Sequence, residues 1–264
     1  MTELAQRVAD AQDPRRATLT DLVERMRPEF AKVLPAHLPT DAFLRLTLTE
    51  LRTNRLLLQC SPESLLGSLM TAARLGLEPG GPLGQMYLIP RRLKDKGWTV
   101  VPMIGYAGLR DLAYRSGVVQ DVSVQVIRSG DRYEEGANES RGLWFEWSPI
   151  RSPFETDDEV ERPIVGVFGV ARLTTGGTIF RRLTLREVLE RKDRGSAGDS
   201  GPWSTDFEAM VRKTGLRALA SLLPKSAGLM LVEQVDEQPV EVRPPGVDLP
   251  LSEEPAPDAA GDEP

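Results

Sequence analysis

Hydrophobic residues recur at helical spacing along the amino-terminal part of the chain. Over residues 18–34 the apolar positions fall three or four residues apart, which predicts an amphipathic helix. Thr18 can cap its amino terminus, and Pro28 is expected to kink it because proline lacks the N–H that a helix interior needs. A second helix is expected to begin near Thr40. The first 80 residues are therefore predicted to be helical.

A third predicted helix has clearer ends than the first two. Ser61 can accept a hydrogen bond as the cap residue, and Pro62 suits the first helical position. Gly76 can adopt the left-handed backbone conformation that commonly ends a helix. The stripe that includes Leu65 and Leu69 is expected to face the core.

Beyond Gly76 the hydrophobic period changes to two, which is typical of strands. Residues 84–90 and 98–104 are predicted to form a β-hairpin whose polar turn ends at Gly97. The other predicted elements are a helix over residues 106–116, a strand over 118–127, a strand at 143–147, a hairpin of 164–173 with 178–183, and helices over 185–191 and 203–223. Helices followed by antiparallel hairpins and further helices indicate an α+β fold.

The net charge of −6 is unevenly distributed. Residues 235–264 hold nine acids and one base, so the rest of the chain carries a net charge of +2. Seven of the 21 prolines also fall in that stretch, and its shortage of large apolar side chains predicts disorder. We therefore divide the chain into a flexible amino terminus (1–17), a helical region (18–80), an α+β core (81–225) and an acidic, proline-rich disordered tail (226–264).

Basic residues cluster in two places within the body of the chain. Arg91, Arg92, Lys94 and Lys96 surround the turn of the first predicted hairpin. Residues 172–225 hold eleven bases against six acids. Such clusters are typical either of an ordinary solvated surface or of a groove that follows the phosphates of a nucleic acid. Both interpretations remain open on charge alone.

The composition indicates neither a membrane protein nor a secreted one. No run approaches the roughly 18 consecutive apolar residues of a membrane span, and residues 1–16 lack the apolar segment of a secretory signal. The only cysteine is Cys60, so an internal disulfide is excluded. A cytoplasmic protein is therefore expected.

Two short motifs resemble catalytic or nucleotide-binding sites. Residues 198–202 read GDSGP, the string around the nucleophile of chymotrypsin-like proteases, and with His37 upstream a serine hydrolase using Ser200 is an alternative function. The match is weak, because that fold is all-β and a helix is predicted directly after the motif. Residues 80–84 lack the Lys-Ser/Thr pair of a phosphate-binding loop. With one histidine and one cysteine, neither a metal site nor a cofactor site is predicted, and no catalytic residue is assigned.

One short predicted helix lines up aromatic and basic side chains. Tyr106, Arg110 and Tyr114 are four residues apart and so share a helix face, where aromatics can stack bases beside cations that bind phosphates. The alternative is that Tyr106 packs in the core and that Asp111 pairs with Arg115. The spacing does not decide between the two.

The last predicted helix offers a pair of cations. Lys213 and Arg217 border an apolar stripe, so their stems can rest on the protein while their charges point outward along one line. This arrangement predicts contact with phosphates.

Three separated stretches resemble the RecT family of phage and prophage single-strand annealing recombinases. They are residues 34–90, then IGYAGLRDLAYRSGVV at 104–119, then GPWSTDFEAMVRKTGLRALASLLP at 201–224. The resemblance extends over roughly residues 20–225. It implies an α+β core that lines a positive groove, and a homo-oligomer, as a ring or a helical filament, whose protomers are expected to contact one another through the apolar helices of the region 18–80. It also implies that the protein binds single-stranded DNA and anneals complementary strands without ATP or bond-making chemistry.

The resemblance also implies partners and site residues. Family members act beside a phage exonuclease and support strand invasion and oligonucleotide recombination; a host single-strand-binding protein is a further expected partner. Relatives often carry a lysine at the position of Ala36 and more charge after Arg217, which Arg91 and Arg92 are expected to replace in part. The predicted DNA-binding residues are Arg91, Arg92, Lys94, Lys96, Tyr106, Arg110, Arg115, Trp203, Lys213 and Arg217.

Two further questions stay open at the level of sequence. A module that binds a specific duplex sequence remains an alternative to annealing. The acidic tail is expected either to compete with DNA for the groove or to act only as a solubilising segment.

Overall fold

The fold is α+β, as predicted, and divides into two compact units. The computed structural model describes residues 14–140, 142–150, 162–194, 202–224 and 239–242. One unit is Met1–Gly108 with Met230–Pro264, and the other is Leu109–Leu229. Among the helices of these described stretches, none has the length and apolar character needed to cross a membrane.

The first unit begins with helices. They are α1 (Pro14–Arg25), α2 (Arg27–Val33), α3 (Thr40–Thr53), a 3-10 helix (Arg55–Gln59) and α4 (Pro62–Leu75). The predicted start at Thr40 is confirmed. The helix predicted over 18–34 is interrupted at Met26, two residues before the proline that was expected to kink it. Thr18 lies inside α1 and is no cap. The break follows from Pro28 in the first turn of α2, because a proline ring inside a continuous helix would clash with the preceding turn.

The core of the first unit lies between these helices. The apolar stripe expected for the first helix is buried there, with Val23 and Phe30 0% exposed. The ring of Phe30 packs against that of Phe43 with centroids 5.3 Å apart. The ends predicted for α4 are confirmed: the Ser64 N–H donates to Ser61 Oγ at 3.3 Å, and Gly76 is left-handed with φ 61°.

A two-stranded hairpin completes the first unit. It consists of β1 (Met86–Leu93) and β2 (Gly97–Ile104), paired antiparallel. The hairpin is confirmed, although β1 runs three residues beyond its predicted end at Pro90, because the basic residues there continue to pair with β2. Two serines of α4 bind β2 at Val100, whose N–H donates to Ser64 Oγ at 2.9 Å and whose carbonyl accepts from Ser68 Oγ at 3.3 Å. The hairpin therefore belongs to the same unit as the amino-terminal helices. The division that we drew from the sequence instead separates the two at residue 80.

The second unit is built on a three-stranded antiparallel sheet. Its elements, starting with the helix that contains the division between the units, are α5 (Tyr106–Arg115), β3 (Val119–Arg128), β4 (Arg132–Asn138), β5 (Gly142–Ser148), β6 (Ile164–Leu173), β7 (Thr178–Thr184), α6 (Leu185–Arg194), α7 (Pro202–Thr205) and α8 (Phe207–Ala220).

The strand order of the sheet is β3-β6-β7. The separate β4-β5 hairpin packs an aromatic cluster onto this sheet, in which the ring centroid of Phe145 lies 5.5 Å from that of Phe168 and 4.6 Å from that of Phe180. The last helix, α8, packs on β3, β6 and β7.

Two expectations for the second unit are corrected. The single helix predicted over 203–223 is two helices, because Asp206 leaves the helical conformation and its carboxylate caps α8 by accepting from the Ala209 N–H at 3.3 Å. Strand β4 has no counterpart in the prediction, since its sequence RYEEGAN shows no apolar alternation. Residues 198–201 of the GDSGP motif and most of the tail lie outside the described residues.

Candidate nucleic-acid interface

The tip of the first hairpin carries the densest group of accessible cations that we predicted. We call Arg91, Arg92, Lys94 and Lys96 the turn cluster. Arg92, Lys94 and Lys96 are exposed and Arg91 is half-buried. The chain reverses through residues 94–96 into Gly97, whose φ of 65° suits glycine. The tight turn therefore brings several positive charges together at one end of the hairpin.

Two aromatic side chains that the sequence prediction missed lie on the same hairpin. Trp98 is half-buried and is the cross-strand partner of Arg92, so the two share one face of the hairpin. Tyr87, on β1, is 41% exposed. The signal for Trp98 was its position immediately after the turn glycine, which pairs it with the basic end of β1. An indole beside an arginine is a suitable surface for a nucleotide, since the base can stack while the phosphate is neutralised.

The turn cluster already binds one internal anion. Lys96 Nζ lies 2.7 Å from Glu241 Oε1, and the two side chains are 50% and 49% exposed. Glu241 belongs to the short described segment of the tail, residues 239–242. A carboxylate of the chain itself, that of Glu241, therefore pairs with Lys96, a cation that we predicted to bind DNA.

On α5 the structure favours different interpretations for different residues. Tyr106 is half-buried, and Arg110 is exposed. Arg115 pairs with Asp111 at 2.8 Å, as the alternative interpretation of this helix predicted. Tyr114 is 40% exposed, but its hydroxyl accepts from the Val122 N–H at 3.3 Å and lies 3.2 Å from Asp121 Oδ1. Arg110 is the residue of this helix whose exposure best suits contact with a phosphate.

On α8 the exposure expected for Lys213 is wrong. Its side chain is 6% exposed, whereas Arg217 is half-buried. The cause is the close approach of α8 to the sheet at Gly215, where a Cβ atom would lie 2.7 Å from Val167 Cγ2. Because the helix sits so deep, several consecutive positions are covered, and the simple border between an apolar and a polar face disappears.

Trp203 of α7 lies beside both an aromatic ring and a cation. Its ring centroid is 6.0 Å from that of Phe207, and Lys192 Nζ lies 6.0 Å from the Trp203 ring. The indole is half-buried. It therefore combines a packing contact with the aromatic-cation pairing expected for a base-stacking position.

Several bases of the 172–225 cluster are bound within the fold. Arg212 donates to Glu208 at 2.7 Å and to the Val124 carbonyl at 2.8 Å. Arg182 pairs with Glu135 at 2.9 Å, and Arg186 lies 3.7 Å from Glu190. Part of this cluster therefore holds secondary-structure elements together.

Neighbouring side chains shift the pKa of the Glu135 carboxylate. Burial alone would raise its pKa, but hydrogen bonds from Arg182 and Tyr133 outweigh that effect and leave the pKa below the ordinary value. Burial and the bond to Glu135 raise the pKa of the Tyr133 hydroxyl. This network keeps Glu135 ionised and Tyr133 protonated at neutral pH.

The predicted site residues divide between the two units. The turn cluster and Tyr106 belong to the first unit, and Arg110, Arg115, Trp203, Lys213 and Arg217 belong to the second. For the hydrolase alternative, His37 Nε2 lies 3.0 Å from the Gly76 carbonyl, and Ser200 lies outside the described residues. Within the described stretches, no group of three or more His, Cys, Asp or Glu residues is arranged to hold a metal ion.

Comparison with known proteins gives a consistent result. The RecT family matches residues 41–247. Protein RecT of Escherichia coli (strain K12) is 34% identical over 225 residues, which cover 83% of this chain and 80% of that protein. Uncharacterized protein YqaK of Bacillus subtilis (strain 168) is 27% identical over 174 residues, covering 64% of this chain and 54% of that protein. The family match includes both the turn cluster and Arg217.

Proposed function

Because the chain belongs to the RecT family of single-strand annealing recombinases, we propose that it binds single-stranded DNA and anneals complementary strands without ATP during homologous recombination in a bacterial cytoplasm. Annealing makes and breaks no covalent bond. The protein has to reduce the repulsion between phosphates and leave the pairing edges of the bases free. Side chains directed at the DNA backbone meet both needs without reading sequence.

The observation that carries this proposal is the turn cluster beside Trp98. Its exposed cations lie at the turn of a hairpin whose second strand is bound to α4 at Val100. Cations held this way neutralise phosphates, and a neighbouring indole can stack a base with about 1–3 kcal/mol. We assign the first contacts with a single strand to this hairpin.

The second unit contributes further candidate contacts. Arg110 and Arg217 can reach phosphates from α5 and α8, and Trp203 can stack a base. Arg115 would have to exchange Asp111 for a phosphate. Tyr106 is a less accessible member of this set, and Lys213 is left out of it because its side chain is buried.

We further propose that the protein acts as a homo-oligomer, a ring or a helical filament, with a phage exonuclease and a host single-strand-binding protein as partners. The proposal rests on the family. The apolar stripe of α1 and α2, expected between protomers, is buried within the chain itself, as Met26 at 2% exposure illustrates. A deletion of residues 1–60 would remove core residues and so could not test their role in oligomerisation alone. The oligomeric state is therefore tested by sedimentation of the full chain with and without DNA.

The decisive experiment mixes two complementary unlabelled strands without nucleotide and follows the rate of duplex formation by dye binding. The full chain should accelerate pairing, and mutation of Arg92 and Lys94 to alanine should slow it. A rate equal to that of the strands alone, or a requirement for ATP, would contradict the proposal. Competition between random single strands and duplex then tests the alternative of a duplex-binding module, which predicts preference for the duplex.

A further inference from the structure

A glycine inside α4 marks where another part of the chain crosses the helix. Gly67 lies in the middle of α4, where glycine is among the least favourable helical residues. A Cβ atom at this position would lie 1.9 Å from the carbonyl oxygen of Val240 and 2.9 Å from the backbone nitrogen of Glu241. The nearest atoms all belong to the backbone of residues 239–242, which we call the docked segment. The glycine is therefore required by the segment that crosses it.

Two polar contacts hold the docked segment next to this crossing. The Val242 N–H donates to the Glu63 carbonyl at 3.1 Å, near the amino-terminal end of α4. Glu241 accepts from Lys96 Nζ at 2.7 Å, on the turn of the first hairpin. The segment thus binds by its backbone to the helix and by its one carboxylate to the turn cluster.

We propose that the docked segment and single-stranded DNA compete for the turn cluster, so that the surface formed by Gly67, Glu63 and Lys96 is a binding site for the chain's own carboxy-terminal segment. A phosphate that reaches Lys96 has to replace the Glu241 carboxylate. Glu241 is one of nine acids in residues 235–264, a composition that repels DNA. This inference rests on the proposed function, and it adds that a segment of the chain itself competes with single-stranded DNA.

Two full-length variants separate the contacts. Glu241→Gln removes the charge on the segment and leaves the helix unchanged. Gly67→Ala places a methyl group where the Val240 carbonyl lies, so the backbone of the segment has to move away. Glu29→Gln is the matched control, because Glu29 also makes an exposed ion pair with a lysine, Lys32 at 2.6 Å, outside the predicted DNA-binding set.

Binding of a fluorescent single-stranded oligonucleotide at low salt should tighten about two- to fivefold in Glu241→Gln and in Gly67→Ala, the range set by one exposed ion pair. Glu29→Gln should bind as the native chain does. In a Lys96→Ala background, Glu241→Gln should have no effect, since the partner of the carboxylate is gone. Equal affinity of Glu241→Gln and the native chain, or the same gain with Lys96→Ala present, would overturn the competition.

Docking of the segment is measured separately by amide hydrogen exchange without DNA. The Val242 amide should be protected in the native chain and should exchange faster in Gly67→Ala. Equal exchange of this amide in both proteins would overturn the docking itself. If the native chain and all variants fail to bind single strands, the proposed function falls and the competition with it, while the exchange result still shows whether the surface binds the segment.

Discussion

Arg182 on β7 donates a hydrogen bond of 3.0 Å from its Nε to Glu135 Oε1 on β4. The Tyr133 hydroxyl donates to the other oxygen of the same carboxylate at 2.9 Å. Together with the aromatic cluster beneath it, this bond attaches the β4-β5 hairpin to the edge of the three-stranded sheet. A strand without an apolar pattern is thus held by one arginine and by the rings of its neighbours.

The stability of the second unit should therefore depend on pH through Glu135. Because the pKa of Glu135 is lowered by Arg182 and Tyr133 in the folded state, its contribution is complete above the ordinary carboxyl value of about 4.3 and is lost as pH falls through the lower folded value. Glu135→Gln should lower the unfolding midpoint in urea at pH 7 and have a diminishing effect below pH 4. Glu134→Gln, which breaks a pair with Arg132 within β4, is the control and should change little. An equal effect of both variants at every pH would contradict the role of Glu135.

Removing charge from the turn cluster should weaken the salt dependence of DNA binding. Each phosphate contact on a single strand contributes about 0.7 to the slope of log K against log salt concentration. Arg92→Ala with Lys94→Ala should therefore lower the slope by roughly 1.4. Lys32→Ala with Arg52→Ala removes the same charge from exposed positions outside both basic clusters and should leave the slope unchanged. A slope equally lowered in both double variants would indicate a general charge effect and no defined site.

Lys213 and Arg217 should behave differently although they lie one helical turn apart. Arg217→Ala should lower the salt slope by about 0.7, as expected for one phosphate contact. Lys213→Met should leave the slope unchanged, because the native side chain is only 6% exposed. Fluorescence anisotropy titrations over a salt series measure both. A slope lowered by the lysine variant and unaffected by the arginine variant would reverse this assignment.

Gly215→Ala should destabilise the second unit by about 1–3 kcal/mol through overpacking. Its Cβ would lie 2.7 Å from Val167 Cγ2 and 3.2 Å from Val124 Cγ1, which puts both contacts below ordinary packing distance. At an unconstrained helix position the same change stabilises by about 1 kcal/mol, so the sign of the effect is diagnostic. Gly177→Ala, where the nearest atom is 3.7 Å away, is the control. Urea unfolding of the two variants measures the difference, and a stabilised Gly215→Ala would contradict the close approach of α8.

Local signals predicted most element boundaries correctly where the residue itself determines the backbone. Ser61 caps α4 and Gly76 ends it, because a side-chain oxygen and a left-handed glycine act within a single turn. The hairpin of β6 and β7 turns at residues 174–177 as the glycines there predicted.

Features that depend on packing between distant residues could not be predicted in this way. The burial of Lys213 follows from the glycine at 215 and its contact with β6, which no periodicity of α8 reveals. Likewise, Glu241 and Lys96 are 145 positions apart in the sequence. The resemblance to a family identified the class of function, whereas the arrangement of charges required the fold.

Ser64 and Ser68 are fully buried on α4, and both bind the backbone of Val100. The second strand of the hairpin is therefore held at its middle before any ligand binds. A flexible DNA strand that binds this preorganised hairpin loses conformational entropy, whereas the hairpin itself loses little. In the proposed annealing reaction, one DNA strand after another can then bind to the same hairpin without a change in its conformation.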